Sequence, residues 1–203
     1  MVLVGLSIVL LADQLPAVDS WWHSLMLASR TDAGLAIARA LAVIGGVMWM
    51  IIIGLLLIVT LLSVRSPWSA LTAAAAMLAS ETITAVMKVG FARQRPPDSL
   101  TETGFTSFPS GHTTLAAAVA ITIALLAGRK ASWILAAAWI VLMAWSRTYL
   151  AAHWLTDTLC GAVLGASVAL LMWVAVQKLA SSAERRRSLR EHSSMDASTA
   201  GER

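Results

Sequence analysis

Long runs without a charged side chain, separated by short polar breaks, make up most of this sequence. The clearest covers residues 40–64, rich in Ile, Leu, Val and Met. An Ala-rich run over 67–87 carries a single charge, Glu81. A third run continues over 113–127 and begins near Ser110, a fourth covers 131–146 and a fifth 158–177. Crossing about 30 Å of hydrocarbon takes roughly 20 apolar residues, and in lipid a lone segment satisfies its backbone only as a helix. Each run therefore predicts a transmembrane helix. Met1–Ala12 is apolar but reaches only about 18 Å as a helix, and it lacks the charged start and cleavage site of a signal peptide. It is expected to be a first span that is short or truncated, tilted, or extended to Leu15, with a peripheral anchor as the alternative. Residues 13–38 read as a loop with a short interfacial helix, and 181–203, polar and without apolar period, as a disordered tail. The predicted fold is all-α and integral to the membrane: a six-helix transmembrane bundle over residues 1–180, followed by that tail.

Composition agrees with this reading. Of 203 residues 58% are apolar and 13% charged, and mean hydropathy is +0.76. Soluble domains carry about 25% charged residues. The net charge of +4 does not point to nucleic acid, because the cations sit in short loops and the tail rather than along a groove. One set comprises Arg65, Arg129, Lys130, Arg185, Arg186, Arg187 and Arg190; the opposite set has Arg30 and Arg93 among acidic residues. The first set is expected to face the cytoplasm, with both termini inside and residues 88–110 and 146–157 outside. Trp21, Trp22, Trp145 and Trp154 would form an outer aromatic belt, Trp68 and Trp133 an inner one. The lone Cys160 reads as a packing residue.

Three polar clusters fall at outer ends of spans: Lys88 with Arg95-Pro96, Pro109-Ser110-Gly111-His112, and Ser146-Arg147 with His153 and Asp157. Snorkelling cations and interfacial histidines are the bland reading of any one of them. Together their chemistry is complementary. Lys88, Arg95 and Arg147 suit a dianionic phosphate, the arginines through forked donors. Ser110 and Gly111 precede a helix, whose free N–H groups and dipole favour an anion, and Gly111 lets it come close.

The pattern resembles the type 2 phosphatidic acid phosphatase, or lipid phosphate phosphatase, superfamily. The resemblance rests on Lys88, six residues, Arg95-Pro96; on Pro109 to His112; and on Ser146-Arg147, five residues, His153, three residues, Asp157. It implies that His153 is a nucleophile oriented by Asp157 and that His112 is the general acid and then base. Lys88, Arg95, Ser110, Gly111 and Arg147 would bind phosphate. No metal or other cofactor is implied. The expected substrate is a membrane lipid phosphate or diphosphate of the undecaprenyl diphosphate, phosphatidylglycerol phosphate or phosphatidic acid class, at the outer face of a bacterial plasma membrane. A lipid phosphotransferase would use the same residues; a transporter or scaffold would not need them all. The sequence sets no oligomeric state. Glu81 tunes Lys88 or makes a helix contact with Thr82 and Thr84, and Thr113 and Thr114 line the site or begin a helix. Gly161 and Gly165 read as a helix-packing pair, and His23 and His192 as solvated.

Overall fold

The computed structural model describes residues 17–101, 104 and 106–201, with side chains described up to residue 190. The expected first span lies outside the described residues. Those residues fold into seven helices: α1 Ala17–Ala28, α2 Asp32–Ile44, α3 Val47–Ser63, α4 Pro67–Phe91, α5 Gly111–Ala127, α6 Lys130–Tyr149 and α7 Leu155–Gly201. No strand occurs among them.

The helix boundaries follow local chemistry. Thr31 caps α2, its Oγ1 accepting from the Gly34 N–H at 3.0 Å, with Asp32 in the positive first turn. Pro67 opens α4, where a missing N–H costs nothing. Gly128 closes α5 in the left-handed region at φ 62°.

Three helices (α4, α6 and the Leu155–Arg190 part of α7) are long and apolar enough to cross a membrane, and α2 with α3 makes a fourth crossing if the bent pair is one span. At 17 residues α5 is shorter and also apolar. The chain is thus a multi-pass membrane protein. The uninterrupted span expected over 40–64 is instead broken at Gly45-Gly46, where α2 and α3 meet at a 49° bend. At the bend Gly45 lies against the Met143 thioether, which a Cβ there would strike. Where a loop with one short interfacial helix was expected over 13–38, the described residues 17–38 hold two helices, α1 and the first half of α2. They are fastened to α6: the Thr31 N–H donates to the Tyr149 hydroxyl at 2.9 Å, that hydroxyl donates to Ser29 O, and Ser146 Oγ donates to Ala38 O at 2.8 Å. In the segment expected to be disordered, α7 continues to Gly201, with exposed side chains over 181–190. Its Ala, Glu, Arg and Leu are good helix formers, and extending an existing helix avoids the cost of nucleation.

The short α5 sits at the centre, packed by α4, α6 and α7. Its buried face is Thr113–Val119 with Thr122 and Ala124, mostly small residues. The large apolar side chains point outward instead, including Leu78, Val86, Leu135, Val141 and Leu171. Small residues inside and large ones outside is how helices pack where lipid is the solvent. The closest approach is between α5 and α7. A Cβ on Gly165 would collide with Thr114 O and stand 2.9 Å from Ala117 Cβ; one on Gly161 would stand 2.8 Å from Ser110 O. The predicted packing role of this glycine pair fits that geometry.

Gly165→Ala is expected to separate α5 from α7 at a cost of about 1–3 kcal/mol, the usual range for overpacking. The temperature of half-inactivation in detergent should fall by several degrees. Gly90→Ala, with no atom within 4 Å of the added methyl, should leave it unchanged.

Candidate active site

The turn between α6 and α7 sets the position of His153. Beyond Tyr149 the chain passes through Ala151 in the left-handed region at φ 52°, and the N–H groups of Ala152 and His153 return to Arg147 O at 3.0 and 3.3 Å. The turn is thereby closed on Arg147, and His153 is left 2% exposed. Trp154 precedes α7 and has no side-chain oxygen with which to cap it. Two carboxylates do so instead. Asp157 Oδ2 reaches back to the Trp154 N–H at 3.0 Å, as the acidic arm of a capping box does. Asp19, from α1, accepts from the Thr156 N–H at 2.9 Å.

His153 lies between two charged partners. Its Nδ1 is 3.6 Å from Asp157 Oδ2, an ion-pair separation longer than a hydrogen bond. Its Nε2 is 3.2 Å from Arg95 Nη1. A guanidinium can only donate, so this contact assigns Nε2 as the acceptor and places the ring proton on Nδ1, facing Asp157. The lone pair of Nε2 is directed at the side where Arg95 is held by two carbonyls, Ala152 O and Gly104 O, each at 2.7 Å.

The other predicted residues gather at the same end of the bundle. Ser110 N–H donates to Asp157 O at 3.1 Å, which docks the start of α5 on the start of α7. That amide, expected among the donors to an anion, is therefore occupied by the Asp157 carbonyl. Ser110 Oγ lies 3.1 Å from Thr113 Oγ1 and does not cap α5. Lys88 Nζ is 3.8 Å from the place a Cβ on Gly111 would take, so the ammonium and the bare glycine face one another. His112 is half-buried in the first turn of α5. Arg147 is 1% exposed, the bulkiest fully buried side chain described, with Nη2 3.4 Å from Thr101 Oγ1. Below them on α4, Glu81 Oε1 and Thr84 Oγ1 are buried without a hydrogen-bond partner among the described residues, so the Glu81–Thr84 hydrogen bond, one of the two readings of Glu81, is not made there.

Sequence reasoning missed a second layer. Arg93 was counted as a loop cation, yet it is 8% exposed and donates from Nη1 to Asp157 Oδ1 at 2.6 Å and to Thr156 Oγ1 at 2.7 Å, and from Nη2 to Asp19 Oδ2 at 2.7 Å. Thr156 Oγ1 in turn donates to Asp19 Oδ2 at 2.6 Å. Trp154, assigned to the interfacial belt, is buried, with its Nε1 donating to Gln94 O and its ring 5.8 Å from the Arg93 guanidinium. His23, expected to be solvated, pairs with Asp98 at 3.0 Å and packs on Trp154. The usable signal was the single carboxylate in the first turn of α1, and an Arg two residues from another Arg.

The PAP2 superfamily model matches residues 69–181, more than half of the chain. An undecaprenyl-diphosphatase of Sulfolobus acidocaldarius is 38% identical over 65 residues, which cover 32% of this chain and 31% of that protein. The match thus spans about a third of that relative. Among solved structures, a PAP2-type phosphatidylglycerolphosphate phosphatase of Bacillus subtilis superposes with a TM-score of 0.76 at 22% identity, covering 89% of this chain and 94% of the other. The Aquifex aeolicus LpxE structure gives 0.66 at 18% identity, covering 74% and 91%.

If Lys88, Arg95 and Arg147 form one anion cradle, inorganic phosphate should raise the unfolding temperature of the purified protein. In Arg147→Ala the concentration needed for half of that shift should rise at least about tenfold, the loss expected when a charge-assisted contact of 1.5–3 kcal/mol goes. An unchanged concentration dependence would remove Arg147 from the cradle.

Proposed function

The chain belongs to the PAP2 superfamily, and on that premise we propose that it is a metal-independent lipid phosphate or diphosphate phosphatase acting through a phosphohistidine. The observation that carries the reading is the His153 ring: its Nδ1 turned to Asp157 at 3.6 Å and its Nε2 met by Arg95 at 3.2 Å. Nε2 is the accepting nitrogen, and the guanidinium that meets it is one a phosphoryl oxygen would use.

The Nε2 lone pair forms the N–P bond while the P–O bond to the lipid breaks, its electron pair staying on the lipid oxygen. His112 protonates that oxygen and then, as a base, takes a proton from the water that attacks phosphorus. The N–P bond breaks and its electrons return to Nε2. Lys88, Arg95, Arg147 and the start of α5 at Ser110 and Gly111 hold the equatorial oxygens, where most catalysis of phosphoryl transfer resides. The three cations supply the charge that a divalent metal supplies in other phosphoryl-transfer sites.

Lys88 and Arg147 stand near the ends of apolar helices, at headgroup depth, so a lipid keeps its tail in the bilayer while its phosphate enters. That placement favours substrates such as undecaprenyl diphosphate, phosphatidylglycerol phosphate or phosphatidic acid over soluble phosphomonoesters. The bias of Lys and Arg toward the opposite loops and the tail supports a site on the outer face of a bacterial plasma membrane.

Purified protein in detergent should release phosphate from these lipids with or without EDTA. His153→Ala should lose at least about 10³-fold in kcat, in keeping with removal of a nucleophile; full activity in that variant would overturn the mechanism. His112→Ala should lose about 10²–10⁴-fold on a lipid phosphate but far less in forming the phosphoenzyme from p-nitrophenyl phosphate, whose leaving group needs no proton. Equal losses on both substrates would deny His112 the acid role. Orientation is read separately: a reporter fused after Arg203 should respond as cytoplasmic.

A further inference from the structure

Asp19, Arg93 and Asp157 form a cluster from three separate parts of the chain, with the two carboxylate side chains at 0% exposure and the guanidinium side chain at 6%. Buried charges are tolerated when paired and hydrogen-bonded, and here both arms of Arg93 are engaged. The pairing is unequal: two carboxylates face one guanidinium, which leaves a negative charge in surplus. The cation facing the other nitrogen of the His153 ring, Arg95, is held by Ala152 O and Gly104 O. The neighbour toward which the surplus can act is the Nδ1 side of His153, 3.6 Å from Asp157.

Asp19 decides what His153 experiences. With Arg93 alone, the guanidinium at 2.6 Å would largely cancel the charge of Asp157. Asp19 holds the other arm of Arg93 at 2.7 Å and, through Thr156 Oγ1 and the Thr156 N–H, holds the first turn of α7 that carries Asp157. When Nε2 forms its bond to phosphorus the imidazole becomes cationic, and a carboxylate that has kept its charge stabilises it most in that state. This is the differential stabilisation that raises kcat rather than lowering KM. Asp19 lies on α1, outside the segment 69–181 that matches the family.

We propose that Asp19 is a positioning residue for phosphoryl transfer: by engaging Arg93 and Thr156 it fixes Asp157 beside His153 and leaves it negative. The proposal rests on the phosphohistidine reading above. It is tested by steady-state and single-turnover kinetics on a lipid phosphate with the full chain, comparing wild type, Asp19→Asn, Arg93→Lys and His153→Ala, with thermal inactivation measured alongside. Asn keeps the shape and an accepting oxygen but removes the charge. In Asp19→Asn, kcat and the rate of phosphoenzyme formation should fall together by roughly 10–100-fold, with KM within about twofold, as loss of a transition-state interaction requires. Wild-type kcat in folded Asp19→Asn, or a lowered inactivation temperature with kcat intact, would reduce Asp19 to a structural tie and overturn the proposal. If Asp19→Asn does not yield folded protein, Arg93→Lys decides. Its ammonium lacks the fork that spans both carboxylates, and kcat should fall at least about tenfold with KM unchanged; wild-type kcat there overturns the proposal as well. An inactive wild type, or an active His153→Ala, would instead remove the phosphohistidine reading and the proposal with it.

Discussion

Two helix starts meet at one point in this bundle, and the site depends on how near they come. Ser110 N–H reaches Asp157 O because Gly161 and Gly165 present bare backbone to α5. Within hydrocarbon no hydrophobic force draws helices together, so close packing and interhelical hydrogen bonds do that work. The contact places the motif around His112, carried by α5, against the motif around His153 and Asp157, carried by the α6–α7 turn and the first turn of α7. The third group, Lys88 to Arg95, arrives at the same level because α4 packs against both α5 and α7. Chemistry drawn from residues 88–157 is thus assembled where three helix ends meet, with the segment between α4 and α5 bringing Arg93 and Arg95.

The charges at that point are arranged in two tiers. Nearest His153 stand Arg95 and Asp157, on opposite nitrogens of the ring. Behind Asp157 stand Arg93, Thr156 and Asp19, whose short hydrogen bonds satisfy groups that a low-dielectric surrounding would otherwise penalise. The second tier joins α1 to α7 and the segment after α4, so it contributes to the fold and to the site together. Breaking a buried pair of this kind costs about 3–5 kcal/mol, since the partner is left uncompensated. Asn or Lys substitutions, which keep an acceptor or a cation in place, therefore separate charge from collapse better than alanine does.

What the sequence made legible was the part governed by long apolar runs and by tight motif spacing. The runs over 67–87, 113–127, 131–146 and 158–177 are helices, and the eight motif residues fall at one end of the bundle. Three features escaped it for physical reasons. The break at Gly45-Gly46 lies inside an apolar run, and an apolar run that bends reads the same as one that does not. Asp19 and Arg93 look like loop charges because their meaning lies in each other and in Asp157; no local period brings them together. Trp154 was placed at the interface on residue type, whereas its indole N–H is committed to Gln94 O inside the site.

The two helix starts are provided for differently, and the difference fits the proposed chemistry. At the start of α7 the positive end of the dipole already faces Asp157, which accepts from the Trp154 N–H, and Asp19, which accepts from the Thr156 N–H. A substrate phosphate arriving there would meet two carboxylates. At the start of α5 the N-cap Ser110 makes no side-chain cap, no carboxylate stands in the first turn, and Lys88 faces Gly111. Among the described residues, that terminus offers a dianion N–H groups, a dipole and a cation. One helix start carries the fixed anions that orient and balance His153, and the other is left for the phosphate it attacks. A nucleophile and an electrophile that both depend on negative groups can then share a buried site without those groups repelling each other at the reacting atoms.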